Sequence, residues 1–166
     1  MKKYIGTKII EAKPGTMAEA QALKDNIPLE VQYRIFEKAG TVDKDGYIVK
    51  YPDGYISWSP KDVFESAYRA CESMTFGLAI EAMKKGYNVA RRGWNGKGMF
   101  TYIQDGARCD TENLRCSAMR DYCKNRAIMH VKINPHIDMK AADGSIVVGW
   151  IASQSDMLAE DWYIVE

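Results

Sequence analysis

The spacing of apolar residues near the start of the chain predicts a strand followed by a short helix. Tyr, Ile and Thr are interspersed with polar residues over positions 3–11, which indicates a strand that ends before Pro14-Gly15. Thr16 and Glu19 have the spacing of a capping box, in which each residue satisfies a free N–H of the other. The pair predicts a helix over 17–24.

A hairpin and a second helix are predicted next. The β-rich runs 46–51 and 55–58 are separated by Pro52-Asp53-Gly54, three residues that favour a tight turn. Ser59 then has the chemistry of a helix cap, and Pro60 suits the first position of a helix. The hairpin is therefore expected to lead directly into a helix.

The chain divides into two small modules by pattern. A boundary near 70–73 separates a module over 1–70 from a second over 74–166. Within the first module, positions 25–45 show helical spacing over only a short window. The pattern leaves that stretch ambiguous between helix and loop.

The second module begins with a helix and continues in short strands. Thr75 is expected to cap a helix over 76–85, and Gly86 suits its end. A glycine-rich loop over 92–98 follows. The remaining predicted elements are strands over 88–91, 99–103, 128–133, 137–140, 146–150 and 162–165, a helix over 111–125 capped by Thr111, and one helical turn over 156–160 capped by Ser153 or Ser155. This order predicts an α+β fold with antiparallel β-sheets and short helices.

Composition excludes several classes of protein. The formal net charge is +1 in 166 residues, which is too small to hold a long polyanion, so neither DNA nor RNA is expected as a partner. No apolar run reaches the roughly 20 residues of a membrane helix, and the first residues lack the apolar stretch of a secretory signal. We expect a cytoplasmic protein without a membrane partner.

The four cysteines are expected to be reduced thiols, since the protein is predicted to be cytoplasmic. They are Cys71, Cys109, Cys116 and Cys123, and none forms the Cys-x-x-Cys pair typical of zinc sites. Cys116 and Cys123 are seven residues apart and are expected to share one helix face as small apolar residues. We therefore predict no metal site and no cofactor.

The loop after the strand over 88–91 has the chemistry of a phosphate and base site. Arg91 and Lys97 can attract an anion, and the intervening glycines expose backbone amides. Trp94 offers a flat aromatic face, and Asn95 offers both a donor and an acceptor. A plain turn whose Trp94 fills the core explains the same residues equally well.

A second polar segment lies where a helix is expected to begin. Ser153, Gln154, Ser155 and Asp156 follow one another close to Trp150. Free N–H groups at a helix start, together with these side chains, can bind phosphate or read ribose and base edges. Simple helix capping by one Ser and one Asp is the alternative.

Catalytic patterns are weak, and we predict no catalytic residues. Ser153, His136 and Asp156 could form a triad by residue type, but no Gly-x-Ser-x-Gly elbow is present. The glycine-rich loop lacks the spacing and the following Ser or Thr of a P-loop. A nucleotide-processing enzyme, suggested by His136 and the acidic residues near Trp150, remains an alternative.

Three blocks in the second module resemble a known family. They are MTFGLAIEA at 74–82, VARRGWNGKGMF at 89–100, and GW at 149–150 with ASQSDMLAEDW at 152–162. In order and spacing they are similar to the second family of Thoeris anti-defence proteins, which occur in phages and prophages. The resemblance covers about 74–165.

The resemblance implies a binding protein rather than an enzyme. Members of the family sequester the cyclic ADP-ribose isomer made by the TIR enzyme of Thoeris defence, and some hold cyclic oligonucleotides. They form homotetramers with sites between subunits. Carried over, the resemblance implies ligand contacts from Trp94, Asn95, Ser153, Gln154, Asp156 and Met157. Trp150 lies beside the last of these blocks, and Arg91 and Lys97 are added on grounds of charge.

The chain also departs from the family pattern. Ser155 stands where a Thr is expected, and a helix-forming insert occupies 104–127, as in only some members. Residues 2–69 lie outside the resemblance and look like a small module of other phage proteins. Because of that module, a third hypothesis stands beside the binding protein and the nucleotide-processing enzyme, namely that the chain is a structural or adaptor protein of a phage.

Overall fold

The computed structural model describes residues 7–165, which fall into two compact units divided between Arg69 and Ala70. The described part of the first unit holds a three-stranded sheet. The second unit holds a five-stranded and a two-stranded sheet. All of the pairings are antiparallel, which confirms the predicted α+β class. No helix of residues 7–165 is long and apolar enough to cross a membrane.

The described part of the first unit combines three helices with a sheet of order β1-β2-β3. Its elements are β1 (Glu11–Thr16), α1 (Met17–Asp25), α2 (Leu29–Ala39), β2 (Asp45–Lys50), β3 (Ile56–Pro60) and α3 (Lys61–Ala67). Ala18, Ala20 and Ala22 of α1 are buried together with Ile48 and Val49 of the central strand. Ala18 and Ala22 are four residues apart and share a face of α1, whereas Ala20 is buried on another side of the helix, so small side chains let α1 lie close to its neighbours on more than one side.

The predicted strand over 3–11 was wrong in position. Residues 3–6 lie outside the described part, and the strand runs through Pro14 and Gly15 instead of ending before them. An edge strand tolerates a proline better than a central strand, because half of its N–H groups face away from the sheet, and β1 is the edge strand of this sheet. Gly15 leaves room for Ile48 there, since an added Cβ would lie 2.6 Å from Cδ1 of Ile48 and would displace that side chain.

Local signals in the first unit are otherwise mostly confirmed. The capping box is present: Thr16 Oγ1 accepts from Glu19 N at 3.2 Å, and Glu19 Oε2 accepts from Thr16 N at 2.8 Å. The hairpin forms as predicted, and the ambiguous stretch contains α2. Ser59 does not cap α3, because it belongs to β3 and pairs with Tyr47; Pro60 occupies the cap position.

The second unit centres on a sheet of order β10-β4-β5-β8-β9. Its elements are α4 (Phe76–Lys84), β4 (Asn88–Arg91), β5 (Phe100–Gln104), β6 (Ala107–Asp110), a 3-10 turn (Thr111–Asn113), α5 (Ser117–Lys124), β7 (His130–Ile133), β8 (His136–Lys140), β9 (Ile146–Val147), α6 (Gln154–Met157) and β10 (Trp162–Val165). Strand β10 lies at one edge beside β4, so the last strand brings the preceding polar segment next to the glycine-rich loop.

The core of this unit is built around Trp162, which is fully buried. Met74, Ala79, Met83 and Val89 are buried in the same cluster. Thr75 caps α4 as predicted, with its side chain accepting from Leu78 N. The first and last family-like blocks therefore meet in the core.

The predicted helix over 111–125 was wrong. A strand, β6, precedes Thr111, and only the shorter α5 is an α-helix. Thr111 does not cap it: its side chain is buried and its Oγ1 donates to the carbonyl of Ile128 at 2.5 Å. Pairing of β6 with β7 joins the segments on either side of 111–129, and this long-range pairing overrides the local helical pattern.

The cysteines are all free in the structure. The expected shared face of Cys116 and Cys123 was wrong, because Cys116 is the exposed residue before α5 and only Cys123 is buried. The shortened helix explains the difference, since its first turn begins at Ser117 rather than at Thr111.

Candidate functional site

Asp156 lies at the centre of the candidate site. Its carboxylate is buried, with only 8% of the residue exposed. Oδ1 accepts from Nη1 of Arg91 at 2.8 Å and from Nε1 of Trp94 at 3.0 Å. Oδ2 accepts from the backbone N of Ser153 at 3.0 Å and from its Oγ at 2.7 Å. One buried carboxylate thus joins the glycine-rich loop to the entrance of α6.

The entrance of α6 is held by a reciprocal capping box. Ser153 has extended backbone angles and its side chain accepts from Asp156 N, while the Asp156 side chain accepts from Ser153 N. This confirms Ser153 as the cap, although the helix begins at Gln154 rather than at Asp156. The Oγ atoms of Ser153 and Ser155 lie 2.8 Å apart.

Arg91, at the end of β4, joins two carboxylates. Its Nε donates to Asp161 Oδ1 at 2.8 Å, in addition to the bond from Nη1 to Asp156. Asp161 Oδ2 accepts in turn from the backbone N of Gly93 at 2.7 Å. Arg91 is therefore mostly committed within the protein, and this pairing fixes the start of the glycine-rich loop.

Three indoles pack edge to face beneath this network. The ring centroid of Trp94 lies 5.3 Å from that of Trp162 and 5.9 Å from that of Trp150, at angles of 78° and 74°. Trp162 Nε1 donates to the backbone carbonyl of Asp156 at 2.9 Å. Such perpendicular pairs are a favourable arrangement for aromatic rings, so the cluster holds Trp94 in a defined orientation.

Trp150 follows β9 and is held in place by a backbone hydrogen bond to β8 and by the turn before it. Its backbone N donates to the carbonyl of Ile137 at 2.7 Å. The preceding Gly149 has a φ of +70°, and its N donates to Oδ1 of the buried Asp138. A left-handed conformation favours glycine at this position, so Gly149 and Asp138 together set the turn that presents Trp150.

The hydrogen bonds determine the charge of the network. Burial opposes ionisation of Asp156, but the bonds from Ser153, Trp94 and Arg91 outweigh it and hold its pKa at about 2. The pKa of Asp161 is lowered chiefly by its bond from Arg91, and the pKa of Arg91 is raised chiefly by Asp161. All three groups are therefore charged at neutral pH.

The structure divides the nine predicted ligand residues into two sets. The first set forms the network and the indole cluster: Arg91, Trp94, Trp150, Ser153 and Asp156. The second set is exposed beside it: Asn95, Lys97, Gln154 and Met157. Direct ligand contact by any of them stays a prediction.

Sequence reasoning did not include Asp161 and Trp162 in the site. The partner of Asp161, Arg91, is 70 residues away in sequence. An arginine just before a glycine-rich loop, which requires a counter-charge if buried, was the available signal.

Triad chemistry and metal binding gain no support from the geometry. His136 Nδ1 bonds to the carbonyl of Asn134 at 2.9 Å, and its Nε2 lies 3.4 Å from Asp138. Ser153 donates directly to Asp156, with no histidine between hydroxyl and carboxylate as a triad requires. Among residues 7–165, no group of three or more His, Cys, Asp or Glu residues is placed to hold a metal ion.

Comparison with known proteins identifies the second unit. The family model described as Thoeris anti-defense 2-like domain matches residues 74–165. A curated protein, Thoeris anti-defense 2 from Bacillus phage SP01, is 36% identical over 92 residues, which are 55% of this chain and 94% of that protein. The chain belongs to the Thoeris anti-defense 2-like family. The resemblance seen in the sequence is thereby confirmed.

Family membership covers the whole candidate site. Every residue of the network, the indole cluster and the exposed set lies within 74–165. The insert over 104–127 and the β6–β7 sheet also lie inside the matched region, whereas the first unit lies outside it.

Proposed function

We propose that this chain binds a cyclic nucleotide immune signal of the host and holds it intact, as a phage anti-defence protein acting in the bacterial cytoplasm. The first candidate ligand is the cyclic ADP-ribose isomer made by Thoeris TIR enzymes, and cyclic oligonucleotides are further candidates. The carrying observation is that Asp156 bonds to both Trp94 and Ser153, so the two segments expected to contact ligand form one surface.

The exposed residues of this surface have suitable chemistry for such a ligand. Asn95 and Gln154 carry amides that can read base and ribose edges, and Lys97 carries a charge that can meet a phosphate. Charge-assisted hydrogen bonds contribute about 1.5–3 kcal/mol each. Stacking on an aromatic side chain contributes about 1–3 kcal/mol per base. A few such contacts on a rigid surface are sufficient for nanomolar binding, which corresponds to about −12 kcal/mol.

The buried network supports binding rather than bond cleavage. Asp156 and Arg91 neutralise each other and are held by several hydrogen bonds, so neither is a free base or nucleophile at neutral pH. A group that serves as a general base requires a pKa nearer the working pH. We assign Arg91 and Asp156 the role of positioning Trp94 and the entrance of α6, with Nη2 of Arg91 remaining as a donor for ligand.

We also propose that the protein assembles as a homotetramer with signal sites between subunits. Several large apolar side chains of the second unit are exposed in the single chain, of which Ile151 and Leu158 flank the segment that holds α6: Ile146, Val147, Val148, Ile151 and Leu158. Exposed apolar surface near an edge strand favours association. Light scattering of the purified chain measures this directly, and a monomer at micromolar concentration would contradict it.

One experiment separates sequestration from degradation. The purified chain is mixed with the cyclic ADP-ribose isomer, the free ligand is quantified, and the protein is then denatured by heat. Sequestration requires depletion of free ligand in proportion to protein, followed by recovery of the same mass after heating. Turnover at a small fraction of the ligand concentration, with a product of altered mass, would show an enzyme instead. Absence of any depletion would favour an adaptor role.

Calorimetry with a matched pair of lysine variants tests the position of the site. Lys97→Gln should weaken binding about tenfold or more, because it removes one charge-assisted contact. Lys85→Gln makes the same change on an exposed lysine at the end of α4 and should leave the affinity unchanged. Equal affinity of the wild type and Lys97→Gln would place the ligand elsewhere.

A further inference from the structure

Two cations face each other on the two-stranded β6–β7 sheet. Arg108 of β6 pairs in register with Lys132 of β7. Directly opposed residues of an antiparallel pair point to the same face, with Cβ atoms about 4.5–5.5 Å apart, and like charges in such positions are destabilising. Both residues are exposed. The fold thus holds two positive groups close together at some cost in stability.

In the described part of the chain, no carboxylate forms a direct ion pair with either of these cations, Arg108 or Lys132. Asp110 lies on the same face, but its Oδ1 accepts from Nδ1 of His130 at 2.6 Å. That carboxylate is therefore directed at the imidazole of its own cross-strand partner, which leaves the two cations available for an external anion.

A groove beside the pair has room for a small molecule. Its volume is about 950 Å³, and Arg108, Lys132 and His130 are among its lining residues. Gly106 precedes β6 and Pro135 follows β7. The two residues lie so close that a Cβ on Gly106 would come within 2.8 Å of Cδ of Pro135. Asp105 also lines the groove next to Gly106, whereas Arg108 and Lys132 make the part of the groove beside them cationic.

We propose that this groove binds a small phosphate-bearing anion between Arg108 and Lys132. A guanidinium presents paired donors to phosphate oxygens, and an ammonium adds a point charge, so the two together suit a pyrophosphate or the phosphates of a nucleotide. Two cations in a chain of net charge +1 are too few for a nucleic acid, which requires contacts to many phosphates. The site is separate from the surface around Asp156 and does not depend on the function proposed there.

Two-dimensional ¹H–¹⁵N correlation NMR of the full chain tests this assignment, in a titration with inorganic pyrophosphate at constant ionic strength. Saturable shifts are expected for the backbone amides of β6 and β7. Arg108→Gln combined with Lys132→Gln should weaken binding at least tenfold. Arg115→Gln combined with Lys124→Gln removes the same amount of charge from exposed positions of the insert outside the β6–β7 sheet. This control variant should bind pyrophosphate as tightly as the wild type.

Parallel titrations identify the source of the phosphate. Tighter binding of ADP than of pyrophosphate would indicate a nucleotide, and equal binding would indicate the free anion; both results support the site. Adenosine binding as tightly as ADP would overturn it, as would equal weakening in the two double variants or shifts that fail to saturate. A short single-stranded oligonucleotide binding more tightly than pyrophosphate would also contradict the proposal. Removal of opposed like charges is not expected to unfold the β6–β7 sheet. Interstrand nuclear Overhauser cross-peaks between β6 and β7 in the double variant check that the sheet is retained.

Discussion

Asp156 has more hydrogen-bond partners than a capping role requires. Its own helix needs only the exchange with Ser153, yet Oδ1 is used by Arg91 and Trp94 of a distant segment. A buried charge is tolerated only when it is paired and hydrogen-bonded. The same residue therefore ends a loop, begins a helix and orients an indole.

Asp156→Asn should destabilise the second unit. The substitution keeps the shape of the side chain but leaves the Nη1 of Arg91 without its anionic partner, and breaking a buried pair from one side costs about 3 kcal/mol. Urea unfolding at pH 7 measures the loss. Glu160→Gln, which neutralises an exposed carboxylate four residues away, is the control and should change stability by less than about 0.5 kcal/mol. Similar values for the two variants would contradict the role of Asp156.

The pH dependence of stability follows from the same carboxylate. The pKa of Asp156 falls from 3.8 to about 2 in the folded chain, so its stabilising contribution is complete above about pH 4 and is lost as the pH falls towards 2. The shift corresponds to about 2 kcal/mol. Asp156→Asn should therefore show a shallower loss of stability between pH 4 and pH 2 than the wild type, measured by urea midpoints across that range. Parallel curves would refute this assignment.

Among the elements, α4 carries a residue that its helix does not need. Gly77 is exposed in the first turn, and an added Cβ would meet only Oγ1 of Thr75, at 3.9 Å. Glycine in a helix is less favourable than alanine, because the unfolded glycine has more conformations to lose. The first turn of α4 is therefore less stable with Gly77 than it would be with an alanine at that position.

Gly77→Ala should raise the free energy of unfolding of the second unit by about 0.5–1 kcal/mol. Gly86→Ala is the opposing control, because Gly86 has a φ of +89° and an alanine there would be strained. Thermal and urea unfolding of both variants give the comparison. A loss of stability in Gly77→Ala would indicate that this glycine serves a purpose other than helix formation.

On the scale of the whole molecule, each unit has its own sheet, and the core cluster around Trp162 draws only on residues after Ala70. A domain that buries its own apolar cluster can fold alone. The family match covers that unit as well. The proposed binding of a cyclic signal can therefore be tested on the second unit without the first.

A fragment of residues 70–166 should fold cooperatively and bind the cyclic signal within about threefold of the affinity of the full chain. Circular dichroism during urea unfolding and calorimetry measure the two properties. A folded fragment that fails to bind would assign the first unit a part in the site. An unfolded fragment would show that the two units depend on each other for stability.

The sequence determined the elements whose signals are local. Capping pairs such as Thr16 with Glu19 place a helix start within one turn, and the Pro-Asp-Gly loop at 52–54 closes a hairpin between its own neighbours. The family blocks also identified the chain's relatives before any contact was known. Such signals survive because every atom that they require lies within a few residues.

Tertiary structure decided what depends on distant partners. Pro14 could lie within a strand because that strand became an edge, and residues 107–110 became a strand because β7 was available to pair with them. Asp161 entered the site through Arg91, far away in sequence. Hydrogen bonding and burial of such groups are properties of the packed chain, and the local sequence does not state which distant segment will supply the partner.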